Sequence, residues 1–361
     1  MKRLISLLMA ISMLLVILAG CSNSEKPGNN DTPNNSNSGD QTPNTPDNNT
    51  PSDGPDRSER IKIGFAISNF DNENFAYMDK ILQAYCDENN IEYVTRQHNS
   101  QSSTIMEIME NFMAANCDGV IFQNSEPESI QATLEEMVEK GIKIISYDAE
   151  VEGICGSWIC SNYATGQTIG DCAADFINNE LGGVCDYVVM DSQVVFMQER
   201  VKGIMDTLAE KCPNSTMVAT QKILLAQAVD TFESMLTANP TIQVLCTGYS
   251  TCATNIIAAW LPELERQGAD LTKYGVFTCD CTNLDLEYMH ETRTAGTNIL
   301  RSTVDLGLKV FVPMGMITQC EAAIRGFECE YPDGTTQVFP YEAVTFDNLD
   351  EVAAKYEVTL A

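Results

Sequence analysis

The sequence predicts an α/β protein built from two Rossmann-like, doubly wound lobes behind a leader and a polar spacer. Three observations carry this expectation. From Ile61 onward, strand-like apolar runs alternate with segments of helical spacing. The runs are apolar throughout, as strands of parallel sheets covered on both faces are. The series divides near residue 162 into comparable halves, each suited to one doubly wound domain.

The leader comes first. Lys2 and Arg3 form a basic start, residues 4–19 are almost all apolar, and the run ends in Leu18-Ala19-Gly20-Cys21. Such a stretch is long enough to span a bilayer, but the small residues before Cys21 favour cleavage. The ending resembles the bacterial lipobox, which implies a signal peptide over residues 1–20 and lipidation of Cys21. Each buried methylene of an acyl chain adds about 0.8 kcal/mol of membrane affinity, so two or more chains anchor stably. Residues 21–59 then read as a disordered tether, rich in Asn, Pro, Ser, Asp, Gly and Thr, without a residue able to seed a core. A flexible coil of this length reaches about 30–40 Å.

The first half carries strand-like runs at Ile61–Ile67, Ile91–Arg96, Gly119–Phe122, Ile142–Tyr147 and Ser157–Cys160. The second carries Tyr187–Met190, Met217–Ala219, Ile242–Thr247, Val276–Cys279 and Gly296–Leu300. Between them, sets such as Phe75, Met78, Ile81, Leu82 and Tyr85 have helical spacing. The tail, about 331–361, is expected to add a hairpin-like strand and a final helix near Asn348–Tyr356, packed on the lobes.

Ligands of such sheets bind beyond the carboxyl ends of the strands. Those ends are polar here: Ser68-Asn69, Gln123-Asn124, Asp148, Asp191, Gly248-Tyr249 and Asp280. No Gly-rich phosphate loop follows a strand, so the usual route to nucleotide binding is unsupported. The formal net charge of −30, from 21 basic and 51 acidic residues, argues against nucleic acid and anionic lipid as partners. Thirteen of the 14 cysteines lie beyond the leader, mostly inside apolar runs, and read as core thiols; Cys155 and Cys160 are the pair to check for a bridge. The spacing of these cysteines does not suit a structural metal, and no cofactor is implied.

An enzyme is the competing class. Only His98 and His290 are available as bases near neutral pH, and both read as exposed, His98 in a solvated loop. No Gly-x-Ser-x-Gly elbow, His-Glu-x-x-His helix or EF-hand loop occurs. The expectation is a protein that is not an enzyme.

From Ile61 to at least Lys309 the chain resembles the type I periplasmic binding proteins of the ribose and galactose kind. The residues that carry the resemblance are Ile63-Gly64-Phe65-Ala66-Ile67-Ser68 with Asn72-Glu73-Asn74-Phe75, then Cys117-Asp118-Gly119-Val120-Ile121 and Ile144-Ile145-Ser146-Tyr147-Asp148. Asn162-Tyr163-Ala164-Thr165-Gly166, Gln198-Glu199-Arg200-Val201-Lys202-Gly203 and Leu236-Thr237-Ala238-Asn239-Pro240 complete the order. The resemblance implies two lobes joined by three hinge crossings: lobe one at 61–162 plus about 302–330, and lobe two at 163–301. It also implies a ligand site of Asn72, Asn74, Phe75, Asp148, Arg200, Tyr249, Asp280 and Arg301. A sugar hydroxyl both donates and accepts, and its C–H faces need flat apolar surfaces, which suits this mixture.

The pattern departs from the family in places. Glu73-Asn74-Phe75 stands where the family often has Pro-Phe-Phe, and Ala149 stands where Arg commonly follows the strand-end Asp. Tyr249-Ser250 replaces Asn-Asp, with Tyr249 a candidate for the lost stacking ring. Arg301 takes the hinge Gln position, which would move positive charge toward an acidic or phosphorylated group. Each residue also has a purely structural role open to it: Asp148 and Asp280 as helix caps, Arg200 in a surface ion pair, Phe75 in the core.

The expected function is therefore a monomeric solute-binding lipoprotein of an ABC transporter, outside the cytoplasmic membrane and held to it through lipid alone. It would capture a small polar ligand, a sugar or a derivative, and pass it to the permease subunits. A sensor of the same fold feeding a kinase or chemoreceptor, or a binder of a nucleoside or sugar acid, is the alternative.

Overall fold

The computed structural model describes residues 57–124 and 127–360, apart from the side chains of Val195 and Phe196. The predicted signal peptide, the lipidation site Cys21 and most of the predicted tether lie outside the described residues. Among the described residues, no helix is long and apolar enough to cross a membrane.

The chain opens with β1 (Ile61–Ile67), α1 (Glu73–Glu88), β2 (Ile91–Gln97), α2 (Ser102–Ala114), β3 (Gly119–Gln123), α3 (Gln131–Glu139), β4 (Lys143–Tyr147) and β5 (Gly156–Ile159). It continues through α4 (Asn162–Glu180), β6 (Asp186–Ser192), α5 (Val195–Lys211), β7 (Thr216–Ile223), α6 (Ala228–Ala238) and β8 (Ile242–Thr247). Then come α7 (Ser250–Gln267), β9 (Gly275–Phe277), α8 (Asn283–Thr294), β10 (Leu300–Asp305), α9 (Phe311–Arg325), β11 (Thr335–Val338), β12 (Glu342–Val344) and α10 (Leu349–Lys355).

Two six-stranded sheets result, ordered β11-β5-β4-β3-β1-β2 and β12-β10-β9-β8-β6-β7. Apart from β12, which runs antiparallel to β10, the pairings are parallel. Central strands are buried along their length, as in β3, whereas the edge strands β2 and β7 are largely half-buried or exposed. This is the burial that unbroken apolar runs imply. Each α1 turn contributes one buried residue, Asn74, Met78, Leu82 and Cys86, so one stripe of that helix faces the sheet.

Helices α4 and α5 approach closely because glycines face each other's backbone. A Cβ on Gly166 would collide with the Arg200 carbonyl oxygen, and one on Gly203 with the Tyr163 carbonyl oxygen. The motifs Asn162–Gly166 and Arg200–Gly203 thus form one helix–helix contact, and that contact fixes where Arg200 emerges.

Several expectations need correction. The strand expected at Gly296–Leu300 is instead Leu300–Asp305, so Arg301 lies within a strand of the second sheet. Ser302, Thr303 and Asp305 are polar yet buried, which hides this strand from a hydropathy reading. The tail does not make a hairpin. β11 extends the first sheet beside β5 and β12 extends the second beside β10, so the chain crosses between sheets once more around the buried Phe339. Arg57, expected in the tether, is instead held: its guanidinium binds the buried Glu321 carboxylate at 2.8 and 3.1 Å.

His98 is buried rather than solvated, its Nδ1 accepting from the Ser100 amide at 3.1 Å, and His290 is half-buried. The thirteen cysteines described are free thiols, Cys155 and Cys160 included, and ten of them are buried.

Candidate ligand-binding site

The carboxyl ends of both sheets open on one cleft. A cavity of about 390 Å³ lies there, lined from the first sheet's side by Asn72, Asn74, Phe75, Gln123 and Asp148, and from the second's by Arg200, Tyr249 and Asp280. Seven of the eight predicted ligand residues are thereby brought to one cavity.

Asn72 and Asn74 come from the turn after β1. The Asn72 side chain caps α1 by accepting from the Asn74 amide at 2.9 Å, which points Asn74 inward. Asn74 is 1% exposed; its Nδ2 donates to the Asp280 carbonyl oxygen at 2.9 Å, and its Oδ1 has no partner. Gln123, at the end of β3, repeats the pattern. Its Nε2 donates to Asp148 Oδ2 at 3.2 Å and its buried Oε1 has no partner. A carbonyl and a carboxylate can only accept, so both carboxamide orientations are fixed and both free atoms are acceptors.

Asp148 and Asp280 hold φ of 71° and 87°, the left-handed region that costs a non-glycine residue about 1–3 kcal/mol. Main-chain bonds impose it: the Asp148 amide donates to Trp158 O at 2.9 Å and the Asp280 amide to Val304 O at 3.0 Å. Neither aspartate caps the helix that follows it. Asp280 Oδ2 instead accepts from the Ser250 amide at 3.1 Å, at the start of α7. Burial pushes the Asp148 carboxyl up to about 6, against the pull of the Gln123 amide and the Arg200 guanidinium, with Asp280 adding to the push.

Arg200 is 4% exposed and no surface residue. Its Nε and Nη2 donate to Asn162 Oδ1 at 3.1 and 2.8 Å, and its Nη1 to Gly248 O at 2.7 Å and Cys279 Sγ at 3.0 Å. A long contact of 3.7 Å joins Nη2 to Cys160 Sγ, and Asp280 Oδ1 lies 3.8 Å from Nη1. The contacts to the two thiol sulfurs, weak acceptors both, leave N–H groups easily transferred to a ligand.

An aromatic wall closes the hinge side. Phe75 meets Tyr147 edge-on at 6.2 Å, and Tyr147 stacks on Phe339 at 5.6 Å. Phe75 thus both packs on the core and lines the cavity. Tyr147 and Phe339 escaped the sequence reading. Tyr147 is the last residue of an apolar strand, and Phe339 belongs to a crossing that no sequence pattern marked.

Arg301 is a correction. It does not line the cavity; Nε and Nη2 donate to Tyr274 O and Leu271 O at 3.0 and 2.8 Å, and the guanidinium lies over the Phe176 ring at 5.0 Å. It sits near the amino end of β10, the end remote from the ligand side of a parallel sheet, and ties down the turn before β9.

The comparisons with known proteins agree with this architecture. The family described as periplasmic binding protein domain matches residues 63–307, more than half of the chain, and the chain belongs to that family. The family and the similar solved structures named below are of solute-binding proteins rather than enzymes. Among those structures is a Bacillus halodurans ABC transporter solute-binding protein with bound myo-inositol: TM-score 0.68, 22% identity, covering 83% of this chain and 99% of that one. Another is a solute-binding protein from Actinobacillus succinogenes with bound D-allose: TM-score 0.69, 19% identity, covering 81% and 100%. A third is a carbohydrate transporter solute-binding protein from Agrobacterium radiobacter with D-arabinose: TM-score 0.68, 15% identity, covering 84% and 100%. Comparison with curated proteins returns no match.

Proposed function

We propose that this protein captures a sugar or polyol between its two lobes and delivers it to an ABC permease, while Cys21 anchors it outside the cytoplasmic membrane. The observation that carries the ligand class is the floor of the cleft. There Asp148, Asp280 and Arg200 converge with two orphaned carboxamide oxygens, Asn74 Oδ1 and Gln123 Oε1. Buried acceptors left without donors are costly, and ligand hydroxyls supply what they lack. The aromatic wall of Phe75, Tyr147 and Phe339 offers the flat apolar surface that sugar C–H groups need. The anchor rests on Leu18-Ala19-Gly20-Cys21, and delivery to a permease rests on the family.

A ligand touching both lobes favours the closed arrangement, which the permease would recognise. Thermal unfolding across pentoses, hexoses, inositols, sugar acids and nucleosides tests the reading. A ligand at 100 times its dissociation constant adds about 2.7 kcal/mol of stability. A shift confined to sugars or polyols supports the assignment; a shift with none of them, in folded protein, rejects it.

A further inference from the structure

The cleft has two chemically different walls. Its floor is the acceptor-rich cluster around Asp148 and Asp280. Its flank on the second lobe is aliphatic: Val194 at the start of α5, Met197 one turn on, and Leu224 and Leu225 just past β7 all line the cavity. Val194, Leu224 and Leu225 are 41%, 53% and 41% exposed, among the more exposed large apolar side chains described. Such side chains at the mouth of a polar cavity mark a surface that something apolar covers.

A free sugar suits the floor and not the flank. Its hydroxyls satisfy Asn74 Oδ1 and Gln123 Oε1, but against Leu224 and Leu225 they would be turned from water toward groups that cannot hydrogen-bond. Branched aliphatic side chains also lack the flat face on which a pyranose ring stacks; the aromatic set is on the hinge side instead.

We propose, resting on the reading above, that the ligand is a sugar or polyol bearing an apolar substituent, as in an alkylthio or aryl derivative. The hydroxylated part lies on the floor, and the substituent lies against Val194, Met197, Leu224 and Leu225. The apolar flank therefore selects the substituted molecule over its parent. One methylene in an apolar pocket discriminates by roughly 10-fold or more, so a phenyl or methylthio group gives at least that preference.

The test is calorimetric titration of the full chain with D-arabinose, D-allose and myo-inositol, and with the phenyl and methylthio derivatives of each. The double variant Leu224→Ser/Leu225→Ser, at exposed positions that do not endanger folding, is titrated in parallel. The expected result is at least a tenfold preference of the wild-type protein for a substituted ligand over its parent. In the double variant that preference, read as the ratio of the two affinities, collapses to about twofold or less. Equal affinity for parent and derivative, or an equal loss of both in the variant, overturns the inference and leaves the sugar-binding reading standing. Binding of neither by folded protein overturns both.

Discussion

The Asn74 side-chain amide donates to the main-chain oxygen of Asp280 at 2.9 Å, a direct bond from the first helix of one lobe to a strand end of the other. The bond lies inside the cavity it helps to close, since both residues line it. Nearby, Lys309 reinforces the junction: its ammonium meets Asn283 Oδ1 at 2.6 Å and Glu73 Oε1 at 3.1 Å, between the rings of Tyr77 and Tyr356.

Replacing Asn74 with Ala removes this contact and shifts the unliganded protein toward an open arrangement. A neutral hydrogen bond contributes about 0.5–1.5 kcal/mol net, enough to change the open fraction several-fold. Small-angle scattering should record a larger radius of gyration for the variant. An identical scattering curve would show that the bond does not govern closure.

Arg200→Lys keeps the charge and loses the fork. A single ammonium cannot reach Asn162 and Gly248 together in the geometry that the guanidinium satisfies. Ligand affinity is expected to fall by about 2–5 kcal/mol, the range for breaking a buried, hydrogen-bonded charged contact. Titration of a folded variant checks this, and unchanged affinity would remove Arg200 from the site.

Gly166→Ala drives a methyl into the Arg200 carbonyl and must push α4 away from α5. Overpacking of this kind costs about 1–3 kcal/mol or more. The expected outcome is a lower Tm together with weaker ligand binding, because the same displacement moves Arg200. A Tm within a degree of wild type would contradict the close approach.

Asp148→Asn tests the electrostatics of the floor. The carboxyl is pushed up to about 6 by burial, so between its ordinary range near pH 4 and pH 6 the folded state binds more protons than the unfolded one. Its contribution to stability therefore falls as pH rises through that window and stays unfavourable above it. The Asn variant is expected to have the higher Tm at pH 7.5, with the difference shrinking toward pH 4. A Tm difference independent of pH would show that Asp148 titrates normally.

Arg301→Gln separates stability from binding. The substitution removes the bonds to Tyr274 O and Leu271 O and the contact with Phe176, so Tm should fall. Ligand affinity should stay within about twofold, whatever charge the ligand carries. A selective loss of binding would return Arg301 to the site.

The sequence by itself determined most of the two-sheet architecture, because most of its doubly covered strands are apolar runs visible one residue at a time, whereas β10 buries Ser302, Thr303 and Asp305. Part of the cavity lining was also legible, since polar residues at strand ends, such as Asp148 and Asp280, mark the binding edge of a parallel sheet. What each of them does was decided by tertiary structure. Asn74 and Gln123 acquire free acceptors only because their amide nitrogens are spent on Asp280 and Asp148, partners distant in sequence. Arg301 and Arg200 look alike in the chain, yet the strand bearing one places it at the amino end of the sheet, while the α4–α5 contact delivers the other to the cleft. The tail's crossing between the sheets, with Phe339 beneath Tyr147, left no periodic trace. Short strands that borrow their partners from two different sheets are specified by contacts, and contacts of that range are not written in local pattern.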